Sequence, residues 1–503
     1  MDQFSESSKQ IKPLAYRLRQ NVRLSEKEGV LHLRLSYPLK SVMLNQFWRA
    51  VLDLLAKGPF IPLNDILSMT ENRNRDDVEF FLNDLVRKGF LEQAGVADME
   101  MLPTISIIIP VYNRPKDIEA CLDSLMRLDY PKDKLEIIVV DDASTDETPD
   151  VISRFPVYLM NSAENRQAPF CRNLAADQAT GEILAFIDSD CRADQMWLQE
   201  LVPAFKDPVI AAVGGMVDSS FGTRTLDRYE HVRSSLKMGL WPKRSAKNNP
   251  FFYVPSCNFL VRKDIFLKTN GFNELLVVGE DVDLCWRICE QGYHIEYKPV
   301  GRIFHKHRNR IISFCCRRFD YGTSEPLLNR LHPQKIKQMV FAPGAFLFWI
   351  MVVMAIFFKS VMFLLLAGII LLGEAVFKLN LAKQRGITIQ LSIVLISVIR
   401  SHFSFFYHCC AFFSRYYLIG CIIFIPLLPM AAAVIAGMHL LAGLVEYGLK
   451  KPHMNLILFL FFFTLEQLAY QLGVWWECLK TQSFKAVNPQ ITIPQLQGKY
   501  KPE

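Results

Sequence analysis

Acidic residues fall in two tight groups. The stretch LAFIDSDC ends an apolar run in Asp188-Ser189-Asp190. GEDVDLCWR, 90 residues further on, brings Glu280, Asp281 and Asp283 into four positions. A D-x-D pair at a strand end suits a hard divalent cation, Mg2+ or Mn2+, which prefers carboxylate oxygen. Such an ion keeps positions open for a diphosphate and offsets the charge of a phosphate leaving group. A second acidic element suits a general base. Two further strand ends carry polar groups. EIIVVDDASTDET ends in Asp141-Asp142 and continues through Ser144 and Thr145 to Asp146, a helix-starting residue. IIIPVYNR ends in Pro110, Tyr112 and Asn113.

These groups need a scaffold that brings strand ends together. Residues 104–300 alternate short Ile/Val-rich runs (ISIIIP, LEIIVV, VYLM, ILAFID, IAAVGG) with amphipathic stretches such as PKDIEACLDSLMRL and FCRNLAADQAT. That alternation predicts an α/β fold with a parallel sheet covered by helices. Ligands of such sheets lie at the carboxyl ends of the strands, so the strand-end groups should open on one edge.

The flanks differ in kind. Residues 14–95 predict a small winged-helix-like module. A hairpin turns near Gly29, three helices follow, and Gly89 stops the third before a last short strand. Residues 1–13 lack the apolar core of a signal peptide and are expected to be flexible, and 96–103 read as a linker. From Met339 to Gly373 the sole charge is Lys359, and residues 416–445 carry none. About 20 apolar residues cross a bilayer, so 338–479 is expected to be a membrane region of two to four spans. Residues 339–358 and 360–377 would form a hairpin at Lys359–Ser360. The mixed stretch 387–414, with Arg400, His402 and His408, would lie at the interface. The span in 416–445 would kink at Pro426 and Pro429. A last span in 454–479 would be interrupted by Glu466, an ionisable residue that is a functional candidate at that depth. Residues 480–503 form a polar tail. Nine Lys/Arg against two acids lie between Arg302 and Lys337, just before the first apolar run. The positive-inside rule places them, and the globular part, in the cytoplasm at a plasma or inner membrane. No nucleic-acid motif accompanies that charge, so no nucleic-acid partner is expected. Twelve Cys without paired CxxC elements read as reduced thiols.

Four motifs in order carry a resemblance: SIIIPVYNR, VVDDASTD, CRNLAADQATGEILAFIDSD and GEDVDLCWRICEQGYHIEYKP. Over roughly residues 104–310 they resemble the family 2 inverting glycosyltransferases, which have a GT-A (Rossmann-like) fold. The resemblance implies a catalytic domain over 104–337, a nucleotide-sugar donor and a divalent metal. It implies that Pro110 and Tyr112, with Asn113, line the base pocket and that Asp142 accepts a hydrogen bond from a uracil-type base. Arg172 would help hold the nucleotide, Asp188 would lie near ribose and metal, and Asp190 would ligate the metal. Asp281 would be the general base, with Glu280 beside it on the acceptor hydroxyl.

A finer likeness lies in GEDVDLCWR, HKHR and RRFDYGTSEPLLNRLHP, which resemble the glycosyltransferases of mycofactocin biosynthesis. YPLKSVMLNQFWRAVLDLLAKG and DDVEFFLNDLVRKGFLE resemble the PqqD-like segment that such proteins carry. This implies glucose from UDP-glucose added to a peptide-derived redox cofactor, with a precursor peptide as a further partner for 14–95. Such modules add a peptide to a sheet edge, though a packing role without peptide stays open. Trp286 reads as a sugar platform or as packing. Arg287, His305, His307 and Arg308 read as an acceptor or phosphate region. His305 and His307 alone make a poor metal site. Asp283 and Arg287, four apart, read as a helix pair, and Gly292 as the helix stop.

Two rivals remain. A cell-envelope polysaccharide or glycolipid transferase would share the catalytic domain, but processive synthases resemble one another in a Q-x-x-R-W element, and the corresponding CCRRFDYGTSEP lacks it. A non-catalytic membrane scaffold binding a precursor peptide would not need the acids.

Overall fold

The computed structural model describes residues 14–19, 21–27, 30–36, 39–56, 58–70, 75–94, 102–219, 224–245, 251–306, 310–335, 337–384, 389–420 and 425–492. The chain divides into two compact units, Met1–Ser220 with Ser235–Lys306, and Phe221–Ser234 with His307–Glu503. The expected N-terminus 1–13, most of the linker 96–103 and the end of the tail lie outside the described residues.

The first module begins with β1 (Ala15–Leu18). The antiparallel trio β2 (Val22–Lys27), β3 (Val30–Ser36) and β4 (Leu39–Leu44) follows. Alternating Leu31, Leu33 and Leu35 point into the core, as a period of two requires. Asn45 accepts the Phe47 N–H at 3.0 Å and opens a single 3-10 turn into α1 (Arg49–Leu55). Then come β5 (Ile61–Pro62), α2 (Leu63–Ser68), α3 (Arg75–Lys88) and β6 (Leu91–Ala94), with β1 between β5 and β6. Gly89 takes φ 86° and ends α3 where the sequence placed the stop. Trp48, the last residue of the 3-10 turn, stacks on Phe81 of α3.

The central sheet holds the expected strands β7 (Ile105–Val111), β8 (Leu135–Asp141), β9 (Tyr158–Asn161), β10 (Ile183–Phe186) and, after the short β11 (Cys191–Ala193), β12 (Ile210–Gly214). β13 (Val217–Ser219), β14 (Lys243–Arg244), β15 (Phe259–Arg262), β16 (His294–Tyr297) and β17 (Ile303–His305) complete the domain. The order is β14-β16-β12-β15-β10-β7-β8-β9. β10, β7, β8 and β9 run parallel, but β15 lies antiparallel between β10 and β12. The sheet is therefore mixed, which corrects the all-parallel expectation. Phe259, Leu260 and Val261 are all buried, and a strand apolar on both faces reads the same in either direction.

Helices α4 (Pro115–Met126), α5 (Thr148–Ile152), α6 (Gln167–Gln178) and α7 (Trp197–Leu201) link these strands. α8 (Thr225–Arg233) groups with the second unit. α9 (Lys263–Lys268) and α10 (Glu280–Glu290) close the domain. Two apolar clusters sandwich the sheet, one with Ile118, Leu122 and Trp197, the other with Ala175, Leu284 and Ile288. This is the mixed α/β, GT-A type of organisation. β17 lies between β11 and β13 in a separate small sheet, with Cys191 opposite His305.

The second unit is helical. Ile311–Leu331, which the sequence reading kept with the catalytic domain, belongs here and packs on Leu456–Thr481. Glycines permit that crossing: a Cβ on Gly322 would strike the Tyr470 carbonyl, and one on Gly473 the Phe319 carbonyl. Among the described residues, four helices are long and apolar enough to cross a membrane: Val361–Gln384, Leu391–Tyr416, Pro429–Lys450 and Leu456–Thr481.

Several expectations change here. Pro343–Phe358 and Val361–Gln384 do form a hairpin at Lys359, but the first has 16 residues, short of the usual span. The stretch 387–414 forms one 26-residue helix, Leu391–Tyr416, whose His402 is buried 3.4 Å from Glu374. Pro426 and Pro429 precede and open a helix rather than kink one, since proline suits the first helical position. Glu466 does not interrupt its helix. It is buried with the Tyr229 hydroxyl, Arg233 at 3.2 Å and Arg318 at 3.7 Å. The tail begins in order, with β19 (Gln490–Thr492) parallel to β18 (Gln338–Val340).

Candidate active site

The ends of β7, β8 and β10 meet on one edge, as expected from parallel neighbours. Asn113 takes φ 49°, a left-handed conformation that Asn tolerates. Its N–H donates to Ser144 Oγ at 2.9 Å, and its Oδ1 accepts the Thr145 N–H at 2.8 Å. Asn113 thus stitches the loop after β7 to the loop after β8, beside Pro110 and the exposed Tyr112.

Asp142 holds the start of α6. Its Oδ1 and Oδ2 accept the N–H groups of Arg166 and Gln167, both at 2.8 Å, at the start of α6. Both oxygens thus satisfy helix-start donors. The adjacent Asp141 uses Oδ2 on the Ser144 N–H at 3.0 Å. Its Oδ1 is buried with no hydrogen-bond partner among the described residues.

Arg172 is 3% exposed on α6 and faces two carboxylates. One Nη donates to Asp188 at 2.7 Å and the other to Glu280 at 2.9 Å. The expected nucleotide-holding arginine therefore joins the two acidic groups.

Asp190 accepts from Arg114, and His305 Nε2 lies 3.5 Å from its Oδ1. Burial pushes the Asp190 carboxyl up, but His305 and Arg114 outweigh that and hold it below its usual range. Asp190, Cys191 and His305 place one ligand atom each within 4.8 Å of one another. Burial keeps the Cys191 thiol protonated, and hard cations prefer oxygen, so the Asp190 carboxylate is the donor of the three that suits one best. His305 thus finds the acidic partner that the sequence reading did not give it.

Glu280 and Asp281 occupy the first turn of α10, not the loop before it, because Gly279 at φ 85° turns the chain straight into the helix. Asp281 accepts the Val282 N–H at 2.8 Å and the Ser256 N–H at 3.2 Å, while Ser256 Oγ donates to Glu280 at 3.2 Å. The positive end of the helix dipole by itself favours the ionised form. Instead burial, aided by the Glu280 charge, pushes the Asp281 carboxyl up to about 7, against those N–H groups and Arg172. A carboxyl poised there matches a base working near neutral pH.

The remaining candidates divide. Arg287 pairs with Asp283 at 2.7 Å, as the spacing predicted, and donates to the Thr269 and Gly271 carbonyls. That holds it in the fold and away from a phosphate. Trp286 is 5% exposed and edge-on to Phe251, which is packing geometry. Gly292 at φ 89° follows the end of α10. His307 and Arg308 lie outside the described residues.

A family model described as glycosyl transferase family 2 matches residues 106–269. Glycosyltransferase AglE of Haloferax volcanii is 31% identical over 223 residues, 41% of this chain and 71% of that protein. The chain belongs to glycosyl transferase family 2. Pre-mycofactocin glycosyltransferase of Mycobacterium tuberculosis is 31% identical over 251 residues, 49% of this chain. The chain spans about half, 52%, of that relative's length. Among solved structures, the mannosyltransferase PcManGT from Pyrobaculum calidifontis in complex with GDP-Man and Mn2+ has a TM-score of 0.38 and 24% identity. That match covers 46% of this chain and 65% of that one. So low an overlap carries no argument about the site.

Three residues of this family 2 transferase were missed in the sequence. Arg114 directly follows Asn113 and so shares its strand end, a signal that was available. Asp141 stood beside the residue chosen. Ser256 carries no local signal, because its contact with α10 exists only after folding.

Proposed function

We propose that the protein is a membrane-associated, metal-dependent inverting glycosyltransferase. It moves glucose from UDP-glucose to a hydroxyl acceptor, a peptide-derived redox cofactor of the mycofactocin type. The observation that carries this reading is the pair of acidic groups on separate elements, Asp188/Asp190 and Glu280/Asp281, joined through one buried arginine.

The donor base is assigned to the pocket of Pro110, Tyr112 and Asn113. Its N–H is assigned to Asp141 Oδ1, the buried oxygen in want of a donor. Asp190, His305 and Asp188 would hold Mg2+ or Mn2+. Their carboxylate oxygens suit such a cation, and the Asp190 and His305 atoms lie within 4.8 Å of one another. When bound, the cation offsets the charge of the departing nucleoside diphosphate. Arg114 must yield part of its hold on Asp190 for this to occur.

Inversion requires a single in-line displacement. Asp281 takes the proton from the acceptor hydroxyl as its oxygen forms the bond to the anomeric carbon. The bond from that carbon to the phosphate oxygen breaks on the opposite face. Glu280, fixed by Arg172 and Ser256, is placed to accept a hydrogen bond from the acceptor. Membrane association draws support from the four helices long and apolar enough to cross a bilayer. The charge before the apolar region favours a cytoplasmic catalytic domain. A PqqD-like role for residues 14–95 is an inference from the sequence pattern, and peptide capture by strand addition would be its test.

The experiment is a donor screen with the full chain, with and without Mn2+, reading product mass. Glucose transfer from UDP-glucose that depends on the metal is expected. Transfer from another donor, or transfer unaffected by chelation, would overturn the corresponding part.

A further inference from the structure

The loop that leads into the proposed base holds two apolar side chains out in solvent. Leu275 is 88% exposed and Val277 59%, while Leu276 between them is buried. Scattered surface aliphatics are ordinary, but this loop is pinned. Asn173 on α6 accepts the Phe272 N–H at 2.8 Å, and its amide donates to the Phe272 carbonyl at 2.8 Å and to Glu274 at 3.1 Å. Asn273 Oδ1 accepts the Leu275 N–H at 3.1 Å, and its carbonyl accepts the Leu276 N–H at 3.1 Å. Gly279 then delivers the chain into α10. Val277 stands four residues before Asp281, within about 15 Å along the chain, given the 3.8 Å spacing of consecutive Cα atoms.

We propose that Leu275 and Val277 form the apolar wall of the acceptor subsite, and that the acceptor carries its hydroxyl on an apolar, ring-sized body. This rests on Asp281 being the base. The donor is a poor occupant of such a wall, because its polar groups are matched by Asp141, Asp188 and Asp190. The acceptor must bring a hydroxyl to Asp281, and the rest of it has to pass the loop that ends there. A fully hydroxylated sugar would leave both side chains wet. An aromatic or branched aliphatic body would remove them from water, which favours binding in proportion to the apolar area covered.

The test uses the full chain in nanodiscs, UDP-glucose as donor, and two acceptors with the same sugar hydroxyls: phenyl β-D-glucopyranoside and methyl β-D-glucopyranoside. Wild type should prefer the phenyl acceptor in kcat/KM by about 10-fold or more, the scale on which apolar pockets discriminate. In the double variant Leu275→Ser/Val277→Ser the preference should fall to about 2-fold or less, within the same scale of pocket contacts, through a higher KM for the phenyl compound. UDP affinity and acceptor-free donor hydrolysis should stay at wild-type levels. Both positions are exposed, so the fold is not at risk. A wild-type ratio near one, or a ratio that the variant leaves unchanged, overturns the proposal. If UDP still binds and sugar is still transferred in that case, the transferase reading stands without this acceptor class. If neither occurs, both fall.

Discussion

Arg172 and Glu280 are 108 residues apart in the chain and 2.9 Å apart in the fold. The same guanidinium reaches Asp188 at 2.7 Å. One buried cation on α6 therefore fixes the relative position of the D-x-D loop and the first turn of α10. Chemistry at an anomeric carbon needs its leaving-group side and its base side held in register.

Replacing this arginine should cost both stability and turnover. Breaking a buried pair from one side leaves an uncompensated charge and costs about 3–5 kcal/mol. Arg172→Met should therefore lower the thermal midpoint clearly. Arg172→Lys keeps the charge but cannot fork to two carboxylates. It should keep the fold and lower kcat more than it changes KM. Thermal unfolding and steady-state kinetics check both.

The pH profile follows from Asp281. Burial and Glu280 raise its carboxyl to about 7, and the base acts when ionised. Below that pH, kcat/KM should fall about tenfold per unit, the slope of one essential ionisation. Glu280→Gln removes the neighbouring charge, so the limb should move to lower pH. Stability has the opposite sign. The folded state holds this proton more tightly than the unfolded chain, so ionisation of Asp281 weakens the fold as pH rises from about 4 toward 7. Asp281→Asn should gain stability over wild type above pH 7 and lose that advantage near pH 4.

Asp141 and Asp142 should separate. Asp142→Asn weakens the acceptors of two N–H groups at the start of α6, and should cost about 1 kcal/mol, the usual scale for a lost helix-start partner. Asp141→Asn should leave the thermal midpoint near wild type and weaken UDP binding by about tenfold, as expected for one lost hydrogen bond to a charged group. Calorimetric titration with UDP distinguishes them.

Glu466 should act as a structural lock. Glu466→Ala takes one carboxylate and the Tyr229 acceptor from this cluster, while Arg233 keeps Glu446 at 2.8 Å and Arg318 keeps Glu230 at 2.7 Å, so it should destabilise the helical unit by about 1–3 kcal/mol. Thermal unfolding of the full chain reads this, and Glu466→Gln should fall between the two.

Local pattern made much of this legible. Strands β7, β8, β9, β10 and β12 could be read from their apolar runs, two of which, β8 and β10, lead into Asp, as could the stop at Gly89 and the Asp283–Arg287 pair. What escaped depends on pairing across the chain. β15 hides its direction because it is apolar on both faces. His305 meets Asp190 because β17 pairs with β11, and no spacing in the sequence encodes that. Asp142 outranked Asp141 because a sequence does not say which of two adjacent carboxylates a helix start will consume. In the helix Leu391–Tyr416, His402 is buried against Glu374 on a neighbouring helix, a contact that no local spacing encodes.

The most direct test is Asp281→Asn in the full chain, assayed for sugar transfer and for UDP binding with Mn2+. The account predicts transfer lowered by about 10³-fold or more, as for removal of an essential proton acceptor, with UDP affinity within about 2-fold of wild type. Transfer that survives the substitution would contradict the assignment of the base, and with it the mechanism built on the two acidic groups.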